Sequence, residues 1–425
     1  MAQSATIDTA EGAAKKVYGK IQDMIPSKDL KVLKRIKYDS SREVGLDYNE
    51  QVYLTQEFGF TAGGSSGARR NLNDAVVATS KNATLAPTST HFRTEAVIEL
   101  LAQVESKGPK AMEPYVGAMF RNSKKAMDRR LEVKYILGGS PIGVVSSATD
   151  VVTTTVCTIA TGKWAPGVWL GSKGMPVDMY DGSTQLNTNA ALIVSVVDMK
   201  LKKITFTGNA ADIDAVVAAG ANTDVYYRGY YGLDGTGLRA IANLSASSGN
   251  YLGIATGTYT DVWNATQVAW DVSATDFNWD LLNTGIEEAA SRGAMGDMIA
   301  LVPFNVWSDL CGSLDALRAI DSSYSANKQD MGHDIDSLSY HSLCGKITIE
   351  PSAFCLNGDV ICYPDPAGDS DVAIIGSSKP TFELPGAEGG KFMQPIRGVN
   401  AIEYGMFECS GLWLPNPRGC ILFTT

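Results

Sequence analysis

From Pro109 to Leu137 the chain reads PKAMEPYVGAMFRNSKKAMDRRLEVKYIL, and Met112, Tyr115, Val116, Met119, Phe120, Met127, Leu131 and Tyr135 recur at three- and four-residue steps. That spacing predicts an α-helix. Pro109 suits the first turn, where a missing N–H has no partner to lose, and Gly138 with Gly139 supplies the stop. At about 1.5 Å per residue the rod is roughly 40 Å long. A rod of that length spans a whole small domain, so the rest of the chain must be arranged along it. Its other face carries Arg121, Lys124, Lys125, Arg129, Arg130 and Lys134. Such a face is ordinarily solvated. The sharper expectation is an inward basic patch that meets nucleic acid or an acidic neighbour.

Before this helix, residues 1–50 are polar and mixed in charge, with short helical patterns near 13–24 and 30–36 and no core of their own. They read as an arm that lies on something else. Residues 51–92 hold two strand-like stretches, QVYLTQEFGF and DAVVATSKNATLAPTSTHF, on either side of a glycine-rich loop. They predict a long two-stranded ribbon tipped by residues 63–70. An isolated ribbon is marginal in water and requires a surface to rest on. The tip is not a phosphate loop. That motif needs GxxxxGK[ST] between a strand and a helix, whereas Gly63, Gly64 and Gly67 are followed by Ala68, Arg69 and Arg70. GLDGTGLRAI at 232–241 lacks the third glycine of a dinucleotide fingerprint and reads as a turn.

After the helix, residues 144–234 become β-rich: VVTTTVCTIA, AALIVSVV, KKITFTG and TDVYYRGYYG lie between Gly, Asp and Asn clusters. They predict a small inserted β-domain without a long helix. From Thr275 the pattern alternates. Thr275 and Asp276 offer N-cap chemistry for FNWDLLNTGIEEAASRG. MIALVP reads as a buried strand, FNVWSDLCGSLDALRAI as an amphipathic helix, and GKITIEP and DVICYP as further strands. The apolar tail GLWLPNPRGCILFTT is expected to be tucked into a sheet.

Chemistry-bearing patterns are few. Cys157, Cys311, Cys344, Cys355, Cys362, Cys409 and Cys420 contain no CxxC pair, so buried reduced thiols in an intracellular, reducing compartment are expected. Cys344, Cys355 and Cys362, with His341 nearby, are spaced by 11 and 7 residues, not as a zinc knuckle. His91, His333 and His341 are the only histidines, and no GxSxG elbow occurs. PDPAGDSD at 364–371 lacks the calcium-loop spacing closed by a glutamate. No catalytic residue, metal or cofactor is expected. A net charge of −10 disfavours a general nucleic-acid-coating role. No apolar run reaches the roughly 18 residues of a membrane span, and the N-terminus lacks the apolar core of a secretory signal.

An arm, a glycine-tipped ribbon, one long helix with a basic face, an α/β region and an apolar C-terminal return, in that order, resemble the major capsid protein of tailed bacteriophages, the Hong Kong 97-type fold. GLRAIANL followed by YLGIATGTYTDVWNA resembles the glycine-rich passage before that family's axial domain. DLLNTGIEEAASRG with MIALVPFNVWSDL resembles its helix–strand–helix core. The resemblance implies an α+β chain: 1–50 the N-terminal arm, 51–92 the extended loop, 93–143 the peripheral domain with its spine helix, 144–234 an inserted β-rich domain, 235–385 the axial domain with its lead-in, and 386–425 a return to the peripheral and axial sheets. It implies a structural protein, not an enzyme, that assembles as hexamers and pentamers into an icosahedral shell around double-stranded DNA, held non-specifically. The location is then the virion, after assembly in the host cytoplasm. No long charged helical extension precedes the arm, which implies a separate scaffolding protein, alongside a portal and, in some members, a decoration protein. No local context carries over the lysine–asparagine cross-link of some members. In this setting the ribbon lies across a neighbouring subunit, Gly63, Gly64 and Gly67 let its tip bend, and Arg69 and Arg70 reach acidic groups there. Two rivals remain: an encapsulin-like nanocompartment shell around protein cargo, and a β-rich receptor- or carbohydrate-binding module with a concave polar pocket.

Overall fold

The computed structural model describes residues 30–39, 47–54, 80–97, 109–151, 153–272, 275–318, 338–368, 371–381, 393–395 and 401–424. The first segment forms a five-residue helix, α1 (Lys31–Arg35). Next, β1 (Tyr48–Tyr53) and β2 (Ser80–Leu85) pair antiparallel, with Tyr48 opposite Leu85 and Tyr53 opposite Ser80. Ala83 and Leu85 are buried, and the Tyr48 ring meets Trp413 edge-on at 4.8 Å, while Ser80, Lys81 and Asn82 are exposed. Burial thus begins about half-way along β2. β3 (Thr88–Val97) then enters a different sheet.

The long helix, α2, spans Pro109–Leu137. Met127, Leu131 and Tyr135 are buried, as the periodicity requires. Its last two turns, however, are buried on every side: all of residues 131–138 are, including Glu132 and Lys134. A helix enclosed all round threads a core instead of lying on one. It stops where expected. The Gly138 amide still bonds to the Lys134 carbonyl, and Gly139 turns to a φ of 74°. A Cβ on Gly138 would lie 2.2 Å from the Gly235 carbonyl oxygen, so the crossing chain requires glycine there.

β4 (Gly143–Val151), β5 (Thr154–Ile159), α3 (Pro166–Trp169), β6 (Pro176–Asp181), β7 (Thr184–Gln185), β8 (Leu192–Asp198), β9 (Lys203–Thr207), α4 (Ala210–Ala219) and β10 (Thr223–Tyr227) follow. The strands run β10-β4-β5-β9-β8-β6-β7, all antiparallel, and β10 also pairs with β6. Six strands therefore close into a barrel, with β7 added outside. Closure removes edges that would otherwise template aggregation. Cys157, Val177, Leu192, Ile204, Phe206 and Val225 fill the interior at 0 % exposure. The ten-residue α4 is absent from the sequence reading. It is capped by the Asn209 side chain, which accepts the Ala211 N–H at 3.0 Å, and it packs Ile213 and Val216 onto β4 and β5.

The chain continues through α5 (Leu238–Ala242), the small hairpin β11 (Asn250–Tyr251) and β12 (Ile254–Ala255), β13 (Thr266–Ala269), α6 (Trp279–Ser291), β14 (Met298–Val302), α7 (Phe304–Arg318), β15 (Leu338–His341), β16 (Lys346–Pro351) and β17 (Val360–Pro364). β18 (Ala373–Thr381), β19 (Met393–Pro395) and β3 all pair with β20 (Ala401–Trp413). β21 (Ile421–Thr424) returns to the mixed six-stranded sheet β13-β21-β17-β14-β16-β15, so the apolar tail is tucked between β13 and β17. Successive strand residues point to opposite faces. Ile299, Leu301, Ile361, Tyr363 and Leu422 therefore join the core shared with α2 and the barrel. Met298, Ala300, Val302, Cys362 and Phe423 join a second core with α6 and α7. The cap of α6 is Asn278, whose side chain accepts the Leu281 N–H at 2.8 Å. It is not Thr275 or Asp276: Phe277, buried between Trp270 and Phe423, lies between those residues and the helix.

Candidate assembly surfaces

Three buried carboxylates tie distant segments to the long helix and the six-stranded sheet. The first is Glu132 of α2. Its two oxygens accept the Val32 and Leu33 N–H groups at 2.9 and 3.0 Å, closing the N-terminal end of α1. Val32 and Ile36 are buried beside it. Arg35 pairs with Glu350 of β16, and the Tyr38 hydroxyl donates to the Gly376 carbonyl at 2.6 Å. Lys37 and Asp39 exchange backbone hydrogen bonds with Ile374 of β18 at 3.1 and 3.0 Å. The segment 31–39 is thus fastened to α2, β16 and β18.

Burial pushes the Glu132 carboxyl up to about 7, against the pull of the Leu33 and Val32 amides and the Lys34 ammonium. A folded-state value above the ordinary 4.5 means that protonation favours the folded chain. The associated stability is fully present below about pH 4.5 and is lost as the pH rises through about 7. The chain is expected to lose up to about 3 kcal/mol across that window. Glu132→Gln should flatten this part of a urea-midpoint profile. An identical profile in wild type and variant would refute the assignment.

The second carboxylate is Glu408 of β20. The Lys134 Nζ donates to Glu408 Oε2 at 3.0 Å, to the Ser410 carbonyl at 2.9 Å and to the Thr88 carbonyl at 2.8 Å. The Tyr135 hydroxyl donates to Glu408 Oε1 at 3.1 Å. Nearby, Arg130 pairs with Asp234 at 2.9 Å, and its guanidinium lies 4.4 and 4.2 Å from the ring centroids of Tyr227 and Tyr230. Arg129 donates to the Gly167 and Leu170 carbonyls, both at 2.7 Å.

Arg129, Arg130 and Lys134 are thus committed within the chain, so these three of the six expected residues do not form an open basic face. The barrel and the β20 sheet enclose that side of α2, and enclosed cations must be paired. Lys124 is exposed and Lys125 half-buried. Arg121 lies within α2, with its side chain outside the described residues, as are Gly63, Gly64, Gly67, Arg69 and Arg70 of the ribbon tip.

The third carboxylate is Asp359, at 0 % exposure, which precedes β17. Arg239 Nε of α5 donates to its Oδ2, and the Thr424 hydroxyl of β21 donates to its Oδ1 at 2.6 Å. Lys163, from the loop leaving the barrel strand β5, stands 3.8 Å from Oδ1. Cys344, Cys355 and Cys362 do not converge: Cys355 belongs to one core, Cys344 and Cys362 to the other. Among the described residues no group of three or more His, Cys, Asp or Glu is placed to hold a metal.

No protein-family profile and no curated protein matches this sequence. Solved structures do. The capsid asymmetric unit of cyanophage A-1(L) matches with a TM-score of 0.52 at 10 % identity, over 96 % of this chain and 94 % of that one. The capsids of Myoviridae phage XM1 and cyanophage Pam1 align at 8 % and 13 % identity with TM-scores of 0.44 and 0.42, each over 96 % of both chains. The first of these comparisons carries the assignment: the α+β fold of this chain is that of a phage capsid protein over nearly its whole length.

Proposed function

We propose that this chain is the major capsid protein of a tailed bacteriophage, self-assembling as hexamers and pentamers into an icosahedral head around double-stranded DNA. The observation that carries this reading is the likeness in fold to a cyanophage capsid subunit over 96 % of the chain. The role is structural, not enzymatic, and the place is the virion after assembly in the host cytoplasm. In this reading 1–50 form the N-terminal arm, 51–92 the extended loop, 93–143 the peripheral domain, 144–234 the inserted barrel, 235–385 the axial domain and 386–425 the return. A separate scaffold and a portal complete the assembly, and DNA is held without sequence preference.

Electron microscopy of the purified protein is expected to find closed shells of tens of nanometres with nucleic acid inside. A small discrete oligomer would overturn the reading, and protein cargo without nucleic acid would favour the nanocompartment. Deleting residues 63–70 tests the ribbon separately. Burial of ribbon surface on a neighbour, at roughly 25 cal/mol per Å2 before ordering costs, outweighs exposed ion pairs of Arg69 and Arg70 at about 0–1 kcal/mol each. The deleted chain is expected to fold but not to form stable shells. Particles that form and survive heating as before would remove the ribbon from assembly.

A further inference from the structure

The barrel carries an apolar feature that its own core does not use. Along the β8–β9 hairpin, Ile193, Val196, Met199 and Leu201 are 47, 60, 36 and 56 % exposed. Leu192 and Val194 remain inside the barrel, and a shift in pairing between Val194 and Val196 turns Val196 outward. β6 pairs with β8 only as far as Ile193, so from Ser195 onward β9 is the only strand neighbour of β8 among the described residues. The hairpin therefore projects.

Its tip is also stiff. Asp198 Oδ1 accepts the Lys200 and Leu201 amides at 3.0 and 2.9 Å, Lys202 adopts a φ of 55°, and the Ser195 hydroxyl bonds to the Thr205 carbonyl at 3.0 Å. A stiff turn loses little freedom on binding. Lys200, Lys202 and Lys203 stand among the apolar side chains, in a chain whose net charge is −10.

A complementary corner lies elsewhere on the same chain. Met295 and Leu343 are 73 and 74 % exposed, on two turns joined by the Gly296 N–H bond to the Cys344 carbonyl at 2.9 Å. Beside them Asp297, Asp365 and Asp371 line a cleft of about 300 Å3 whose rim includes Met295. One surface is apolar with lysines, the other apolar with carboxylates.

We propose that the β8–β9 hairpin of one copy docks on the Met295–Leu343 corner of a second copy. This rests on the shell-forming reading. Contact between two different patches is heterologous, so it propagates from copy to copy and does not stop at a pair. Apolar burial supplies most of the attraction. The lysines and aspartates fix orientation and disfavour hairpin meeting hairpin.

The test uses full-length Met199→Cys/Met295→Cys, assembled and then treated with a short bismaleimide. A ladder of linked chains on a denaturing gel is expected from the double variant and not from wild type or either single variant. Lys200→Glu/Lys203→Glu, changed only on the exposed tip, should cut shell yield at least tenfold without altering the melting temperature of the unassembled chain. Complete shells with no ladder, or full shell yield after charge reversal, would overturn the proposal. Failure of the wild-type chain to form any shell would instead count against the capsid reading.

Discussion

Replacing Asp359 with alanine is expected to lower the stability of the chain by about 3–5 kcal/mol, the range for breaking a buried ion pair by removing one partner. The carboxylate is wholly buried and serves Arg239, Lys163 and Thr424 at once. Alanine would leave the Arg239 side chain, 13 % exposed, without its counter-charge. Lys163 would be affected as well: burial already lowers its pKa, and Asp359 is the first influence opposing that. Those three partners come from α5, the barrel exit and the last strand, so the loss reaches the place where the barrel meets the six-stranded sheet. A typical domain has only about 5–15 kcal/mol of net stability, so the variant is expected to be close to unfolding. Urea denaturation checks this through a lower midpoint at unchanged slope. The double variant Arg239→Met/Asp359→Leu should recover much of the loss, because apolar replacement of a buried pair is often neutral. A drop below about 1 kcal/mol in Asp359→Ala, the scale of a surface ion pair, would show that the three partners are held without it.

Much of the fold is legible in short stretches. Pro109 and the Gly138–Gly139 pair mark the ends of α2, and MIALVP, GKITIEP and DVICYP stand where β14, β16 and β17 form. These signals are local: a proline, a glycine pair, a run of β-branched residues. Barrel closure is not local. It depends on β10 pairing with both β4 and β6, and no residue between them records that. The commitment of Arg129, Arg130 and Lys134 within the chain is hidden from the sequence for a related reason. Periodicity shows which stripe is apolar, but not how many neighbours enclose the helix. The partner of Lys134, Glu408, lies 274 residues away. One sign of the buried network was nevertheless available. Glu132 in LEVKYIL, Glu350 in ITIEP, Asp359 in GDVICY and Glu408 in MFECSG are each single acids in largely apolar runs. Such an acid is a candidate for a buried, paired carboxylate. Its mate remains hidden until the chain is folded. The ribbon tip lies outside the described residues, so its glycines and arginines remain a proposal carried by the fold.

Lys134→Met is expected to destabilise the chain by about 3–5 kcal/mol near pH 8. Methionine keeps most of the aliphatic stem but removes the ammonium, whose three protons all have acceptors: Glu408, the Ser410 carbonyl and the Thr88 carbonyl. Glu408 would be left buried with the Tyr135 hydroxyl in place of a cation. Burial already raises its carboxyl pKa while Lys134 lowers it, so removing Lys134 raises it further. A folded-state value above the unfolded one gives stability that is present at low pH and lost as the pH rises. The deficit of Lys134→Met should therefore shrink as the pH falls toward the raised value, because the buried acid can then be neutral. Glu408→Gln in the same background should give a smaller deficit that no longer varies with pH there. A lysine held only for packing would give a modest loss, the same at every pH. Wild-type stability of Lys134→Met at pH 8 would mean that the long helix is fastened to β3 and β20 by apolar contact alone, with the buried pair contributing nothing to the joint.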